Sequence, residues 1–227
     1  MKKVIFKKIL SIFRTIIELL YPIYCYGCRY EWVGEKGLCL QCEQSLQPVV
    51  STICQLTETK KIPVFAAYAY RGPLCDIIRA KKRSDICAAR LLGRMIDEVL
   101  YELRGQIDYF VSVPLHQTRQ AERGFNQAQV MAELLSERWK IPCEEIVLRK
   151  KNTKYQASVS AINRQKNVED AFEWVDDEAK KRLFKKRICI VDDLFTTGST
   201  VRSLGHLLMQ ARPESIMVMV AARAIDL

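Results

Sequence analysis

Residues 188–200 read Ile-Cys-Ile-Val-Asp-Asp-Leu-Phe-Thr-Thr-Gly-Ser-Thr and concentrate more usable chemistry than any other stretch of the chain. A short apolar run delivers two carboxylates, Asp192 and Asp193. A turn of small residues follows, Thr196, Thr197, Gly198, Ser199 and Thr200, and a helical pattern then opens. Carboxylates accept hydrogen bonds from sugar hydroxyls. A small-residue turn at the start of a helix offers backbone N–H groups, hydroxyls and the positive dipole end to a phosphate. Side by side they describe a cradle for a ribose 5-phosphate. The plainer alternative makes the aspartates a helix N-cap.

A second constellation is the cysteine pair Cys25 and Cys28, repeated at Cys39 and Cys42 with ten residues between the pairs. Two C-x-x-C knuckles supply the four thiolates of a tetrahedral zinc site. With every position filled by sulfur, such a zinc is structural rather than catalytic. So small a unit buries no core, so the metal supplies its folding energy. Redox-active or merely buried thiols are the alternative. The scattered Cys54, Cys75, Cys87, Cys143 and Cys189 read as small buried hydrophobes.

The surrounding chain is that of a soluble globule. It has 227 residues, 49% apolar and 27% charged, with a formal net charge of +10. That balance favours anionic partners, nucleotides, nucleic acid or an acidic membrane face, or it is simply a solvated basic surface. No G-x-x-x-x-G-K-[ST] and no G-x-G-x-x-G occurs, which excludes a P-loop and leaves a dinucleotide fold unsupported. Lys7, Lys8, Arg14 and Glu18 interrupt residues 1–20, so these do not read as a secretory signal, and a cytoplasmic location is expected.

The elements that must position these groups follow from periodicity. Residues 2–20 set Val4, Ile5, Ile9, Ile12, Phe13, Ile16, Ile17 and Leu20 against Lys2, Lys3, Lys7, Lys8 and Arg14, an amphipathic basic helix. It suits docking on the protein's own core or, alternatively, on a membrane surface. Four segments are expected: the helix at 1–20, a zinc ribbon at 21–47, a linker at 48–63 and an α/β domain at 64–227. Within the last, strands are predicted at 64–70, 109–113, 146–148, 171–175, 188–191 and 215–222. Helices are predicted along 91–103, 127–139 and 201–211. That alternation argues for a mostly parallel sheet, with ligands beyond the carboxyl ends of its strands, where Pro114, Asp192 and Asp193 fall.

Residues 188–200 resemble the phosphoribosyl pyrophosphate (PRPP) signature of type I phosphoribosyltransferases. Val111-Ser112-Val113-Pro114-Leu115-His116, Arg119 and the run Arg123-Gly124-Phe125-Asn126-Gln127-Ala128 resemble the ComF family within that fold. Gln156, Ser160, Asn163, Arg164, Asn167, Val168 and Phe172 extend the likeness, as does the preceding knuckle. The resemblance implies that Asp192 and Asp193 bind the ribose hydroxyls and that Thr196, Thr197, Gly198, Ser199 and Thr200 hold the 5′-phosphate. It implies that Pro114, Leu115 and His116 form the pyrophosphate loop and that residues 149–167 occupy the place of a closing flexible loop. Mg²⁺ arrives with the pyrophosphate, keeping most of its waters.

Displacing pyrophosphate from the ribose builds positive charge on the sugar and negative charge on the leaving group, which calls for fixed carboxylates and cations together. Arg119, Arg123, Lys154 and Arg164 are the cations available, with Arg123, Lys154 and Arg164 taken as catalytic. A surface salt bridge is the alternative for Arg123, and a solvated loop for Lys154. No acceptor site is recognisable. The resemblance also implies a part in natural competence, with other competence proteins as partners. The basic runs Arg79, Lys81, Lys82, Arg83 and Lys180, Lys181, Arg182, Lys185, Lys186, Arg187 suit single-stranded DNA. Tyr24, Tyr26, Tyr30 and Trp32 would stack bases or, the reading preferred, pack the ribbon.

Overall fold

The computed structural model of the chain describes residues 24–81, 85–150 and 171–225. The helix expected at 1–20, the cations Lys82 and Arg83, and the expected loop residues Lys154, Gln156, Ser160, Asn163, Arg164, Asn167 and Val168 lie outside the described residues.

In chain order the strands are β1 (Thr52–Gln55), β2 (Lys61–Ala69), β3 (Tyr109–Ser112), β4 (Val147–Arg149), β5 (Phe172–Trp174), β6 (Arg187–Phe195) and β7 (Ser215–Arg223). The helices are α1 (Leu40–Gln44), α2 (Pro73–Lys81), α3 (Ile86–Leu100), α4 (Gln117–Arg123), α5 (Gln127–Trp139), α6 (Asp177–Arg182) and α7 (Ser199–Met209). The main sheet has the spatial order β1-β2-β7-β6-β3, with β1 antiparallel and the other neighbours parallel. β4 and β5 form a separate antiparallel ribbon.

The central strands explain their own position. Residues 216–222 of β7 and 188–191 of β6 are buried without interruption, the mark of strands covered on both faces. The right-handed sense expected of a parallel crossover places α3 and α7. The step from β2 to β3 and the step from β6 to β7 run in opposite directions across the sheet, so α3 and α7 fall on opposite faces. α5 packs beside α3. The contact is pinned by the buried Asp97 carboxylate, which accepts from Trp139 Nε1 at 2.5 Å and pairs with Arg138 Nε at 2.7 Å.

Residues 48–63, expected as a linker, instead hold β1 and the opening of β2. In the burial pattern of β1 only Cys54 is fully buried, too little for a sequence period to show. The short helices α2, α4 and α6 were likewise not anticipated. Cys54 and Cys189 are buried as expected, whereas Cys87 is exposed on α3.

Candidate functional site

β6 carries the acidic pair to the edge of the core. Its pairing with β3 runs from Ile188 to Val191, while its pairing with β7 continues to Phe195. The β3 chain turns away at Pro114 just after Val113 N–H bonds Val191 O at 3.0 Å. Asp192 and Asp193 therefore stay in the sheet, held by β7 on one side and half-exposed on the other. The Asp193 N–H donates to Asp192 Oδ1 at 2.8 Å, orienting that carboxylate. Neither aspartate caps α7. Gly198 stands at its N-cap and no side chain caps it, which leaves the first-turn N–H groups facing the turn.

The turn itself is tightly specified. Gly198 has φ 74°, in the left-handed region, and a Cβ there would lie 2.9 Å from Cys54 Sγ and 2.9 Å from Phe195 Cζ. Only glycine meets both conditions. Arg202 Nη1 donates to Thr197 O at 2.9 Å, tying the turn to α7. Thr196, Thr197 and Ser199 are exposed, with Thr200 half-buried.

The Pro114 turn lies beside this pair because β3 and β6 are neighbours. His116 opens α4, its Nδ1 accepting from Thr118 N–H at 3.2 Å. Arg123 and Gly124 close α4, with Gly124 at φ 78°. Asn126 then caps α5 through Ala128 N–H at 3.1 Å and donates from Nδ2 to Val113 O at 3.1 Å. Arg123 Nη1 donates to Gln127 Oε1 at 3.2 Å. The Arg-Gly-Phe-Asn-Gln run is thus a helix-to-helix corner fastened to the end of β3, an assignment its residue types alone did not disclose.

Arg149, at the end of β4, was not among the expected catalytic cations. Its guanidinium is half-buried, 5.5 Å from the Phe172 ring, and makes no ion pair among the described residues. Burial and the neighbouring Arg119 charge push its pKa down, and the Asp192 carboxylate opposes them. Arg119 and Asp192 therefore both sit within electrostatic reach of Arg149. Spacing could not reveal this, because the three come from α4, β4 and β6. Lys154 and Arg164 are outside the described residues.

At the other candidate centre the four sulfurs of Cys25, Cys28, Cys39 and Cys42 lie within 4.8 Å of one another. Cys28 and Cys39 Sγ are 3.8 Å apart, and tetrahedral Zn–S bonds of about 2.3 Å put ligand sulfurs about 3.8 Å apart. Burial would raise the Cys25 thiol, but N–H groups of Cys39, Cys28 and Gly27 bring it down to about 6. Burial and the neighbouring Cys25 and Cys39 push Cys42 up to about 12. Burial and the neighbouring sulfurs thus disfavour charge on Cys42, a cost that a bound dication would offset. The residues fit a metal such as zinc.

The knuckle is seated on the α/β domain. A Cβ on Gly27 would lie 2.8 Å from Cys42 Sγ and 3.0 Å from Pro73 Cβ of α2. Tyr26 OH donates to Asp85 Oδ2 at 2.7 Å, and Asp85 caps α3 through Ala88 N–H at 3.1 Å. Burial and the Asp85 carboxylate push the Tyr26 pKa well up. Of the four aromatics expected to pack the ribbon only Tyr26 packs against the core, and it is partly buried. Tyr24, Tyr30 and Trp32 are 52%, 93% and 55% exposed, because a ribbon this small has only one inner face.

No protein-family model matches the chain. Competence protein F of Haemophilus influenzae is 38% identical over 209 residues, 88% of this chain and 90% of that protein. The chain belongs to the ComF family. DNA utilization protein YhgH of Escherichia coli is 32% identical to this ComF-family chain over 88% of its length and 90% of that protein. Competence protein ComFC of Streptococcus pneumoniae is 25% identical over 85% of the chain and 84% of that protein. A solved structure of the allosteric regulatory enzyme of purine biosynthesis matches 63% of the chain but 26% of its own length, at 19% identity and a TM-score of 0.41. Among the described residues no helix is long and apolar enough to cross a membrane.

Proposed function

We infer that this ComF-family protein acts in the uptake or use of DNA and binds a 5-phosphoribosyl ligand, PRPP or a nucleotide, at the carboxyl end of its sheet. The observation that carries the ligand is the continuity of β6 into α7. Two in-sheet carboxylates lead through an obligatory glycine to an uncapped helix N-terminus. Asp192 and Asp193 take the ribose hydroxyls. The turn from Thr196 to Thr200 takes the 5′-phosphate with its N–H groups and hydroxyls. The chain from Pro114 to His116 lies where a pyrophosphate would leave, accompanied by Mg²⁺ as part of the bound ligand. The names of the relatives support the DNA role, and a cytoplasmic location and other competence proteins as partners accord with it.

The four cysteines hold zinc in a structural site, since thiolates fill every position and leave none for substrate. Metal binding there keeps the knuckle folded against α2 and α3.

A second reading, turnover of PRPP with transfer of the ribosyl group to an acceptor, is favoured by the cations. Arg149 stands within electrostatic reach of both Asp192 and Arg119, so charge of both signs is ready for a leaving pyrophosphate and a cationic sugar. Pyrophosphate release on addition of candidate acceptors tests it.

A thermal-shift panel tests the ligand assignment. PRPP with Mg²⁺ at about 100 times its Kd should stabilise the native state by about 2.7 kcal/mol, a rise in Tm of about 5–11 °C. No shift with PRPP or any nucleotide contradicts it.

A further inference from the structure

The opposite end of the sheet has a chemistry of its own. The parallel registers Val64↔Val218 and Arg187↔Ser215 bring the amino ends of β2, β7 and β6 to one end of the sheet, with β3 beginning beside them at Tyr109, opposite Ile188. The turns leading into these strands interlock. Lys185 N–H bonds Arg212 O at 3.1 Å, Glu214 N–H bonds Lys186 O at 3.0 Å, and Arg187 Nη1 reaches Gly105 O at 2.8 Å.

Half of the cations in the basic run ahead of β6 are neutralised locally. Lys181 pairs with Glu178, Arg182 with Glu144 and Arg187 with Asp108. Lys185, Lys186 and Arg212 are exposed and make no ion pair among the described residues. Two exposed aromatics each carry a cation, Phe184 within the run and Tyr101 in the turn whose Gly105 meets Arg187. Phe184 is 50% exposed with Lys185 Nζ 5.4 Å from its ring centre, and Tyr101 is 49% exposed with Arg104 5.9 Å from its own.

The backbone adds an independent observation. Every non-glycine residue in the left-handed region among the described residues is basic: Arg29, Lys140, Lys185 and Arg212. Lys185 and Arg212 sit at φ 54° and 51°, where glycine would be unstrained. Helix-dipole stabilisation does not explain them, because each lies three residues beyond the helix before it, where that effect has decayed. Local strain is being held at two adjacent turns in favour of two cations.

We propose that this edge, formed by Phe184, Lys185, Lys186 and Arg212 with Tyr101 and Arg104 beside them, is a single-stranded nucleic-acid surface. It lies at the end of the sheet opposite the phosphoribosyl cradle. The cations meet the phosphates and the two rings stack bases, a combination that tolerates any sequence. Among the described residues the edge is built of turns leading into strands, and a flexible single strand fits it. The inference rests on the DNA role above and gives it a location. The protein would then hold a strand and a phosphoribosyl ligand together, without competition.

The test is fluorescence anisotropy of a labelled 20-nucleotide oligothymidylate with the full-length, zinc-loaded protein at 50 and 200 mM salt. Lys185→Gly/Arg212→Gly removes two charges while relaxing both backbones, so it keeps or raises Tm. It should weaken binding at 50 mM salt and flatten the log–log salt slope by about 1.4. Phe184→Ala should weaken binding roughly 5- to 150-fold. The PRPP thermal shift should be unchanged in both variants. If the wild-type protein binds no oligonucleotide at 50 mM salt, the DNA role fails and the surface with it. If wild type binds and both variants match it, the surface is wrong while the DNA role stands. Loss of binding to anionic phosphatidylglycerol vesicles, with oligonucleotide affinity retained, would assign the edge to a membrane and overturn the proposal.

Discussion

Gly198→Ala probes the joint between strand and helix on which the ligand assignment depends. The added methyl would lie 2.9 Å from both Cys54 Sγ and Phe195 Cζ, and the backbone is held at φ 74°. A left-handed conformation costs a non-glycine residue about 1–2 kcal/mol. Overpacking against a buried sulfur and a ring edge adds about 1–3 kcal/mol. The structure thus predicts a loss of about 2–5 kcal/mol, read by thermal denaturation as a fall in Tm of roughly 4–20 °C. Relief by moving the turn would displace the N–H groups of Ser199 and Thr200, so PRPP affinity should fall as well. Cys54→Ala removes one of the two clashing atoms, so the double variant should recover part of the stability, a coupling that distinguishes a steric cause from a general one. A Gly198→Ala protein with wild-type Tm and wild-type PRPP affinity would refute the reasoning, as would strict additivity in the double variant.

Other consequences are separable from that one. Metal analysis should find one zinc per chain, and Cys42→Ser should lose it and release the knuckle, read as increased amide exchange from residue 24 to 46. Tyr26→Phe removes the hydrogen bond to the Asp85 carboxylate and should cost about 1.5–3 kcal/mol in denaturant unfolding while leaving zinc content unchanged. Asp108 is held down to about 2 by its hydrogen bond to Arg187. Because its folded pKa lies below the unfolded value near 3.9, the pair's stabilisation is present above about pH 4 and lost as pH falls through about 2. Asp108→Asn should therefore lower Tm at pH 7 and match wild type near pH 2.

The parallel sheet was legible because its strands are long apolar runs. Ile188–Val191 and the residues from Ser215 onward announce burial on both faces, and the helix at 127–139 appears within the predicted limits. What escaped was short or made by contact. β1 buries Cys54 alone in full, so nothing in its sequence marks it as the edge strand that underlies Gly198. The Arg-Gly-Phe-Asn-Gln run looked like a site motif, yet its Gly124 and Asn126 end one helix and start the next. Arg149 gave no signal, because its nearness to Arg119 and Asp192 is a product of the fold. The aspartates were legible as a pair, but only the structure separates them from a helix cap, by putting Gly198 in that position.

The central claim is that Asp192 and Asp193 face the sugar of a bound 5-phosphoribosyl ligand. Isothermal titration of PRPP with Mg²⁺ into the wild-type protein and into Asp193→Ala tests it most directly. The account predicts saturable binding at one site per chain in the wild type and none in the variant, with the two proteins equal in zinc content. Wild-type affinity in Asp193→Ala, or no PRPP binding by the wild type, would contradict it.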